Sequence, residues 1–145
     1  AELFFELAKE NQTAILARVP LASGLLTGKM TPQTTFGDDD HRKYNRHGEA
    51  FDVGETFSGV DYDTGLEAVD RLRPLVPQDA TMAQFALRWI LMFDAVSCAI
   101  PGAKNRSQAV DNARSADLPA FSAETMAQIK AIYDELIKEQ VHQRW

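Results

Sequence analysis

The fold is decided by the stretch Ala95-Val-Ser-Cys-Ala-Ile-Pro-Gly-Ala-Lys-Asn-Arg-Ser-Gln-Ala-Val-Asp-Asn112. Its first six residues are mostly apolar, which predicts a short buried strand over 95–100. Pro101 and Gly102 close the strand, and Asn105 is a typical N-cap for a helix over 106–115. A strand that passes through a tight turn into a helix is the repeating unit of parallel α/β folds.

A similar stretch, Thr13-Ala-Ile-Leu-Ala-Arg-Val19, predicts a second buried strand over 13–19. Residues 31–62 show no periodicity and predict a long loop of the functional or mobile kind. Capping-box patterns begin at Thr64 and Thr81. Helical spacing of apolar residues predicts further helices over 2–10, 64–73, 81–93 and 122–138.

This order of elements indicates one α/β domain over 1–145, with two parallel strands joined by helical crossovers. Two parallel strands cannot bury themselves, because each leaves an unpaired apolar edge. We therefore expect further strands, either hidden within residues 31–62 or supplied by another polypeptide or a part of this one absent here.

Composition excludes several classes of function. The chain has 145 residues and a net charge of −6, which argues against a nucleic-acid partner and a polybasic membrane anchor. No apolar run approaches the ~18 to 20 residues of a membrane-spanning helix. The single cysteine, Cys98, excludes an internal disulfide and a thiolate metal cage. We expect Cys98 to be a buried, inert thiol and the protein to be cytoplasmic.

The turn after the second strand is the best candidate for ligand binding. Lys104 and Arg106 place two cations where the helix N-terminus favours an anion such as phosphate. Gln108, Asp111 and Asn112 share one helix face and suit hydrogen bonds to a purine or ribose. The residues alone support equally an ordinary strand-to-helix turn with solvated cations.

No metal site is expected. His41, His47 and the acidic run 38–40 lie on a polar loop, where histidines are usually solvated.

Two runs resemble the aldo-keto reductases: Val19-Pro-Leu-Ala-Ser-Gly-Leu-Leu-Thr-Gly-Lys29, and Ile100-Pro-Gly-Ala-Lys104 followed by Gln108 and Asn112. An Ala-Gln-Phe-Ala-Leu-Arg-Trp helix lies between them, as it does in the family. The resemblance is greatest to the branch that contains bacterial oxidoreductases and the β-subunits of voltage-gated potassium channels.

The resemblance implies the C-terminal portion of a TIM (β/α)8 barrel, with 13–19 as its seventh strand and 95–100 as its eighth. The portion is incomplete on its own. The implied cofactor is NADPH, held at its pyrophosphate, 2′-phosphate and adenine. The implied residues are Leu21, Ser23 and Gly24 for the pyrophosphate, Gly102, Lys104 and Arg106 for the 2′-phosphate, and Gln108, Asp111 and Asn112 for the adenine end. Arg18 stands where many members stack an aromatic side chain on the nicotinamide.

The implied activity of the parent protein is reduction of aldehydes or ketones by NADPH. The family's catalytic Asp, Tyr, Lys and His come from the first half of the barrel, so the resemblance assigns no catalytic residue to this chain. The small carbonyl substrate would bind through the complete barrel.

Two alternatives remain: a non-catalytic NADP-binding or interaction module like the channel β-subunits, and a piece ordered by self-association over its exposed strand edges. We also expect Trp145 to pack over the cofactor mouth.

Overall fold

The computed structural model describes residues 4–144, so residues 2–3 of the predicted first helix and Trp145 lie outside the described residues. The strands are β1 (Ile15–Arg18) and β2 (Val96–Ile100). The α-helices are α1 (Phe5–Glu10), α2 (His41–Tyr44), α3 (Tyr62–Leu72), α4 (Met82–Ile90), α5 (Arg106–Arg114), α6 (Ala123–Ile132) and α7 (Lys138–Val141). None of these helices has the length and apolarity needed to cross a membrane.

The chain divides into two compact units. The described part of unit 1 comprises residues 4–21 and 77–121, which hold both strands with α1, α4 and α5. The described part of unit 2 comprises residues 22–76 and 122–144, which hold the other helices.

The sheet of unit 1 pairs β1 with β2 in parallel, which confirms the predicted strand direction. Arg18 lies opposite Ile100 in the register, so the two strands end at the same edge. The prediction that both strands are buried is wrong, since Leu16 is 59% exposed and Ile100 is 54% exposed. A parallel sheet needs cover on both faces, and within residues 4–144 these two side chains lack it.

The core of unit 1 is the apolar face of α4. Phe85 and Leu87 are buried, and the Phe85 ring stacks on Phe121 with centroids 4.6 Å apart. The predicted capping box at Thr81 is confirmed, because its hydroxyl and the Gln84 side chain bond each other's backbone N–H groups. The α-helix ends at Ile90 rather than at residue 93, since the chain tightens there into i→i+3 hydrogen bonds.

Unit 2 is organised around α3. The predicted capping box at Thr64 is wrong, because Asp61 is the N-cap and α3 therefore begins at Tyr62. The Asp61 carboxylate accepts from the Thr64 backbone N–H (3.0 Å) and hydroxyl (2.9 Å). The bond from the Thr64 N–H is the main cause of the lowered pKa of Asp61.

The predicted C-terminal helix over 122–138 begins as expected. Ser122 caps α6, accepting from the Thr125 N–H. The helix then widens into a π-helical turn over Tyr133–Ile137 before α7. Wider turns of this kind accommodate an extra residue within a helix.

The predicted long loop contains short helical elements and supplies part of the unit 2 core. Besides α2, it holds 3-10 turns at Val53–Glu55 and Phe57–Gly59. Phe57 is 1% exposed, and its sequence neighbour Thr56 and the more distant Asn45 are also buried. Residues 31–61 are therefore a packed segment of unit 2.

Candidate functional site

The turn that follows β2 in unit 1 is held by side chains of α5. Asn105 caps the helix, as predicted, by accepting from the Gln108 backbone N–H at 2.9 Å. The Gln108 side-chain oxygen accepts in turn from the Lys104 N–H at 2.6 Å. The Asn112 side chain donates to the Gly102 carbonyl at 3.1 Å. The turn is therefore fixed by side chains of the helix that follows it.

The two cations of this turn are available to an anion. Lys104 and Arg106 are exposed, and within residues 4–144 neither forms a salt bridge with a carboxylate. Both flank the N-terminus of α5, where backbone N–H groups and the helix dipole also favour negative charge. The arrangement suits a phosphate group.

Three residues were predicted to face a purine or ribose, and the structure separates their roles. Gln108 and Asn112 hold the turn, and within the described chain the Gln108 amide nitrogen and the Asn112 amide oxygen have no protein partner. One donor and one acceptor thus remain for a ligand. Asp111 instead contacts the Ser107 hydroxyl at 3.5 Å and lies 3.9 Å from the Arg114 guanidinium.

A cavity of about 410 Å³ lies in unit 1 between β2, α4 and α5. Leu87, Ala99 and Asn112 are among its lining residues. The prediction of a buried Cys98 is wrong, since this thiol is half-buried and lines the cavity.

At Gly102, an added Cβ would meet no atom within 4 Å, so the described chain leaves open space beside this glycine. The turn therefore has room for a phosphate-bearing ligand.

Arg18 and Leu21 lie at and just after the end of β1. Arg18 is exposed and opposite Ile100, immediately before the turn described above. Leu21 is half-buried. The pairing of the strand ends thus places Arg18 at the edge of the sheet from which the cation-bearing turn starts.

The predicted Ser23–Gly24 contact lies in unit 2, inside the helical turn Ala22–Thr27. Both residues have positive φ angles, 54° at Ser23 and 93° at Gly24. The Ser23 hydroxyl donates to the Glu55 carbonyl (3.3 Å) and accepts from the Phe57 N–H (3.2 Å). These partners were missed by sequence reasoning, because they are more than thirty residues away and carry no local pattern.

The described tyrosines are engaged in contacts within unit 2. The Tyr62 hydroxyl donates to the Thr31 carbonyl at 3.0 Å, and Tyr133 lies 2.9 Å from His142 Nδ1. Tyr44 packs edge-on against Phe51. Within residues 4–144, no three His, Cys, Asp or Glu side chains come together as a metal site would require.

The parallel strands, the helices beside them and the turn flanked by Lys104 and Arg106 define an α/β unit whose strand end carries two exposed cations. The family model described as the aldo/keto reductase family matches residues 1–134. The chain therefore belongs to the aldo/keto reductase family, which confirms the resemblance stated above.

Curated relatives and solved structures agree with this assignment. The L-glyceraldehyde 3-phosphate reductase of Escherichia coli K12 is 30% identical over 122 residues, which are 83% of this chain and 34% of that protein. Aldo-keto reductase YhdN of Bacillus subtilis is 32% identical over 103 residues, 70% of this chain and 28% of that protein. The chain thus spans about a third of the length of these relatives.

Among solved structures, the glycerol dehydrogenase AKR11B4 of Gluconobacter oxydans superposes with a TM-score of 0.72 at 25% identity, covering 92% of this chain and 38% of that one. The holo form of aldo-keto reductase AKR11C1 from Bacillus halodurans gives a TM-score of 0.62 at 21% identity, covering 90% and 37%. The described fold is therefore an α/β fold that resembles part of an aldo-keto reductase barrel.

Proposed function

We propose that this chain is the C-terminal portion of an NADPH-dependent carbonyl reductase, with β1 and β2 as the seventh and eighth strands of its barrel. The exposed apolar residues Leu16 and Ile100 support this proposal, because further strands and helices would cover them. The chain matches 34% of the Escherichia coli reductase and 38% of the Gluconobacter oxydans dehydrogenase, which is compatible with its being one portion of a barrel. Single-cysteine composition favours a reducing, cytoplasmic location.

The observation that carries the cofactor proposal is the pair of cations at the N-terminus of α5 that form no salt bridge within residues 4–144. Lys104 and Arg106 would hold the 2′-phosphate of NADPH, with Gly102 giving it room. Gln108 and Asn112 would present their free donor and acceptor to the adenine. Asp111, which shares this helix face, would contact the ribose next to the adenine.

The pyrophosphate would lie against Leu21, Ser23 and Gly24, and Arg18 would stack its planar guanidinium on the nicotinamide. When bound, the cofactor supplies the hydride that reduces an aldehyde or ketone. The proton donor would be a tyrosine outside this chain, with its pKa lowered by a neighbouring lysine. This portion would bind and orient the cofactor and line part of the substrate pocket.

The test is a fluorescence titration of the chain with NADPH and with NADH. We expect the double variant Lys104→Ala/Arg106→Ala to weaken NADPH binding about tenfold or more, because charged hydrogen bonds contribute ~1.5–3 kcal/mol. Binding of NADH should change little, since it lacks the 2′-phosphate. The matched control is Lys9→Ala, which removes an exposed cation of α1 in the same unit. Equal weakening of both cofactors would refute the assignment of the 2′-phosphate to this turn.

Catalysis is assigned to residues outside this chain, so we expect no turnover of NADPH with 4-nitrobenzaldehyde by the chain alone. Turnover that survives repurification would contradict the absence of a catalytic residue here.

A non-catalytic NADP-binding module remains the second candidate, and the turn fixed by Gln108 and Asn112 favours it. A turn held by its own helix is preorganised for a ligand without help from other strands. Saturable NADPH binding by the isolated chain would support this candidate, whereas lack of binding would exclude it.

We also propose self-association through exposed apolar residues of unit 1, since Phe4, Leu7, Leu16 and Ile100 are each more than half exposed. A second copy would cover these side chains and the open strand edges. Gel filtration with light scattering should give an oligomer that Leu16→Ser weakens. A stable monomer at high concentration would exclude this proposal.

A further inference from the structure

The Ser23–Gly24 turn has a backbone conformation that needs support. Ala22 and Ser23 have φ angles of 46° and 54°, in the left-handed region that L-residues avoid. Each such residue costs roughly 1 kcal/mol or more, and persists where surrounding contacts fix it. The contacts that fix this turn therefore decide whether its backbone groups keep their directions.

Two side chains of α2 contact this turn: the His41 Nε2 lies 3.4 Å from the Ser23 hydroxyl oxygen, and the other contact is made by Arg42. Its Nη1 donates to the Ser23 carbonyl at 3.3 Å, and the same nitrogen lies 3.6 Å from the position that a Cβ on Gly24 would take. A carbonyl held in this way restricts the peptide plane between Ser23 and Gly24, and with it the Gly24 N–H. Turns of this kind bind phosphate oxygens through their backbone N–H groups.

The guanidinium of Arg42 is itself rigidly held. Its Nε and Nη2 bind both carboxylate oxygens of Asp40, with the shortest contact at 2.6 Å. Its Cζ lies 4.5 Å from the ring centre of Phe36. Asp40 also caps α2 by accepting from the Arg42 N–H, so the acid is fixed by the same helix. Because Asp40 and Phe36 both hold the guanidinium of Arg42, its Nη1 is directed at the Ser23 carbonyl.

A neighbouring arginine provides the comparison. Arg46 packs on the same Phe36 ring at 5.5 Å and on Tyr62 at 4.6 Å, and donates to the Arg42 carbonyl at 3.2 Å. No hydrogen bond joins Arg46 to the Ala22–Thr27 turn in the described chain. The two arginines share the aromatic cluster and differ in their contact with Ser23.

We infer that Arg42 is a positioning residue for the cofactor pyrophosphate: it fixes the Ser23–Gly24 turn through the Ser23 carbonyl and binds no ligand itself. This inference rests on the proposed binding of NADPH to the chain. It explains why a segment predicted as a plain loop packs against the predicted pyrophosphate turn. Lysine cannot replace Arg42, because a single ammonium cannot bind both Asp40 oxygens, lie over the Phe36 ring and reach the Ser23 carbonyl together.

The test compares Arg42→Lys with Arg46→Lys in the full chain. Hydrogen exchange of the peptide covering residues 22–28 should quicken about tenfold or more in Arg42→Lys and stay as in the wild type in Arg46→Lys. Calorimetric titration should show about tenfold weaker NADPH binding for Arg42→Lys, with binding of adenosine 2′-monophosphate unchanged. That probe carries the 2′-phosphate and adenine without a pyrophosphate.

The outcomes separate this inference from the proposed function. If the wild type binds neither NADPH nor adenosine 2′-monophosphate, the proposed function fails for this chain and the inference fails with it. If the wild type binds both, unchanged exchange and unchanged NADPH affinity in Arg42→Lys overturn the inference alone. Equal effects of both lysine variants also overturn it, because they would assign the effect to aromatic packing. A circular dichroism melt confirms that each variant is folded at the assay temperature.

Discussion

Asn45 is expected to be the polar side chain on which the packed segment of unit 2 most depends. It is fully buried, and its side-chain oxygen accepts from the backbone N–H groups of Ala50 and Phe51, both at 2.8 Å. Its amide nitrogen donates to the Thr56 hydroxyl at 3.2 Å. The substitution Asn45→Ala removes three hydrogen bonds and leaves a small void.

The magnitude follows from these contacts. A buried donor left without an acceptor costs about 1–3 kcal/mol. Ala50 and Phe51 are exposed residues, so water replaces part of the loss and the lower value applies to each N–H. With the lost Thr56 contact, we expect unit 2 to lose about 2 to 3 kcal/mol of unfolding free energy.

The assay is hydrogen exchange at the amides of residues 50 and 51, together with guanidinium unfolding followed by circular dichroism. A loss of 2 to 3 kcal/mol corresponds to exchange that is about 30- to 150-fold faster. The control is Asn11→Ala, which removes an exposed hydrogen bond to the Leu7 carbonyl and should cost roughly 0.5 kcal/mol. Equal effects of the two substitutions would refute the reasoning, since the argument depends on burial.

Three further substitutions test the packing, the electrostatics and the capping. Gly65→Ala should destabilise unit 2 by about 1–3 kcal/mol in a thermal melt, because its Cβ would lie 2.5 Å from the buried Leu25 side chain; an unchanged melt would show that Leu25 moves freely. The hydrogen bonds from Arg42 lower the pKa of Asp40 to about 2, so the contribution of this ion pair to folding stability is present above about pH 4 and is lost as pH falls toward 2. The wild type should therefore be more stable than Asp40→Asn by about 1 kcal/mol after solvent screening, and this difference should vanish over that pH range. A difference that stays constant with pH would contradict the assignment. Thr81→Ala should cost about 1 kcal/mol, measured as faster exchange in the first turn of α4, and unaltered exchange there would count against the cap.

The sequence correctly predicted features that depend on hydrogen bonds between residues close together in the chain. Thr81 and Asn105 were recognised as N-caps because their hydrogen bonds reach three residues along the chain. Thr64 was wrongly predicted as an N-cap. Asp61, a stronger acceptor three residues earlier, caps the helix instead by accepting from the Thr64 N–H. Burial of the strands was mispredicted, because the exposure of residues such as Leu16 depends on neighbours that a strand's own sequence does not specify.

In the candidate site, too, contacts within a few residues could be predicted from the sequence and long-range contacts could not. The turn of Gly102 and Lys104 is held by side chains four to ten residues away on the helix that it begins, so its sequence specifies its geometry. The Ser23 turn is held by His41 and Arg42 and by the backbone of Glu55 and Phe57, which are 18 to 34 residues away. No local pattern predicts such partners.

This difference has a functional consequence for the two predicted cofactor contacts. Loosening the packed segment at Asn45 should disturb the Ser23 turn, because the carbonyl and N–H that bind Ser23 follow Asn45 in the same segment. The turn of Gly102 and Lys104 in unit 1, proposed for the 2′-phosphate, draws its hydrogen bonds from α5 and should keep its geometry. Asn45→Ala should therefore weaken NADPH binding while leaving adenosine 2′-monophosphate binding intact. Under the proposed assignment, recognition of the 2′-phosphate would be a local property of one strand-to-helix turn, whereas binding of the pyrophosphate would depend on how the whole segment over 31–61 packs.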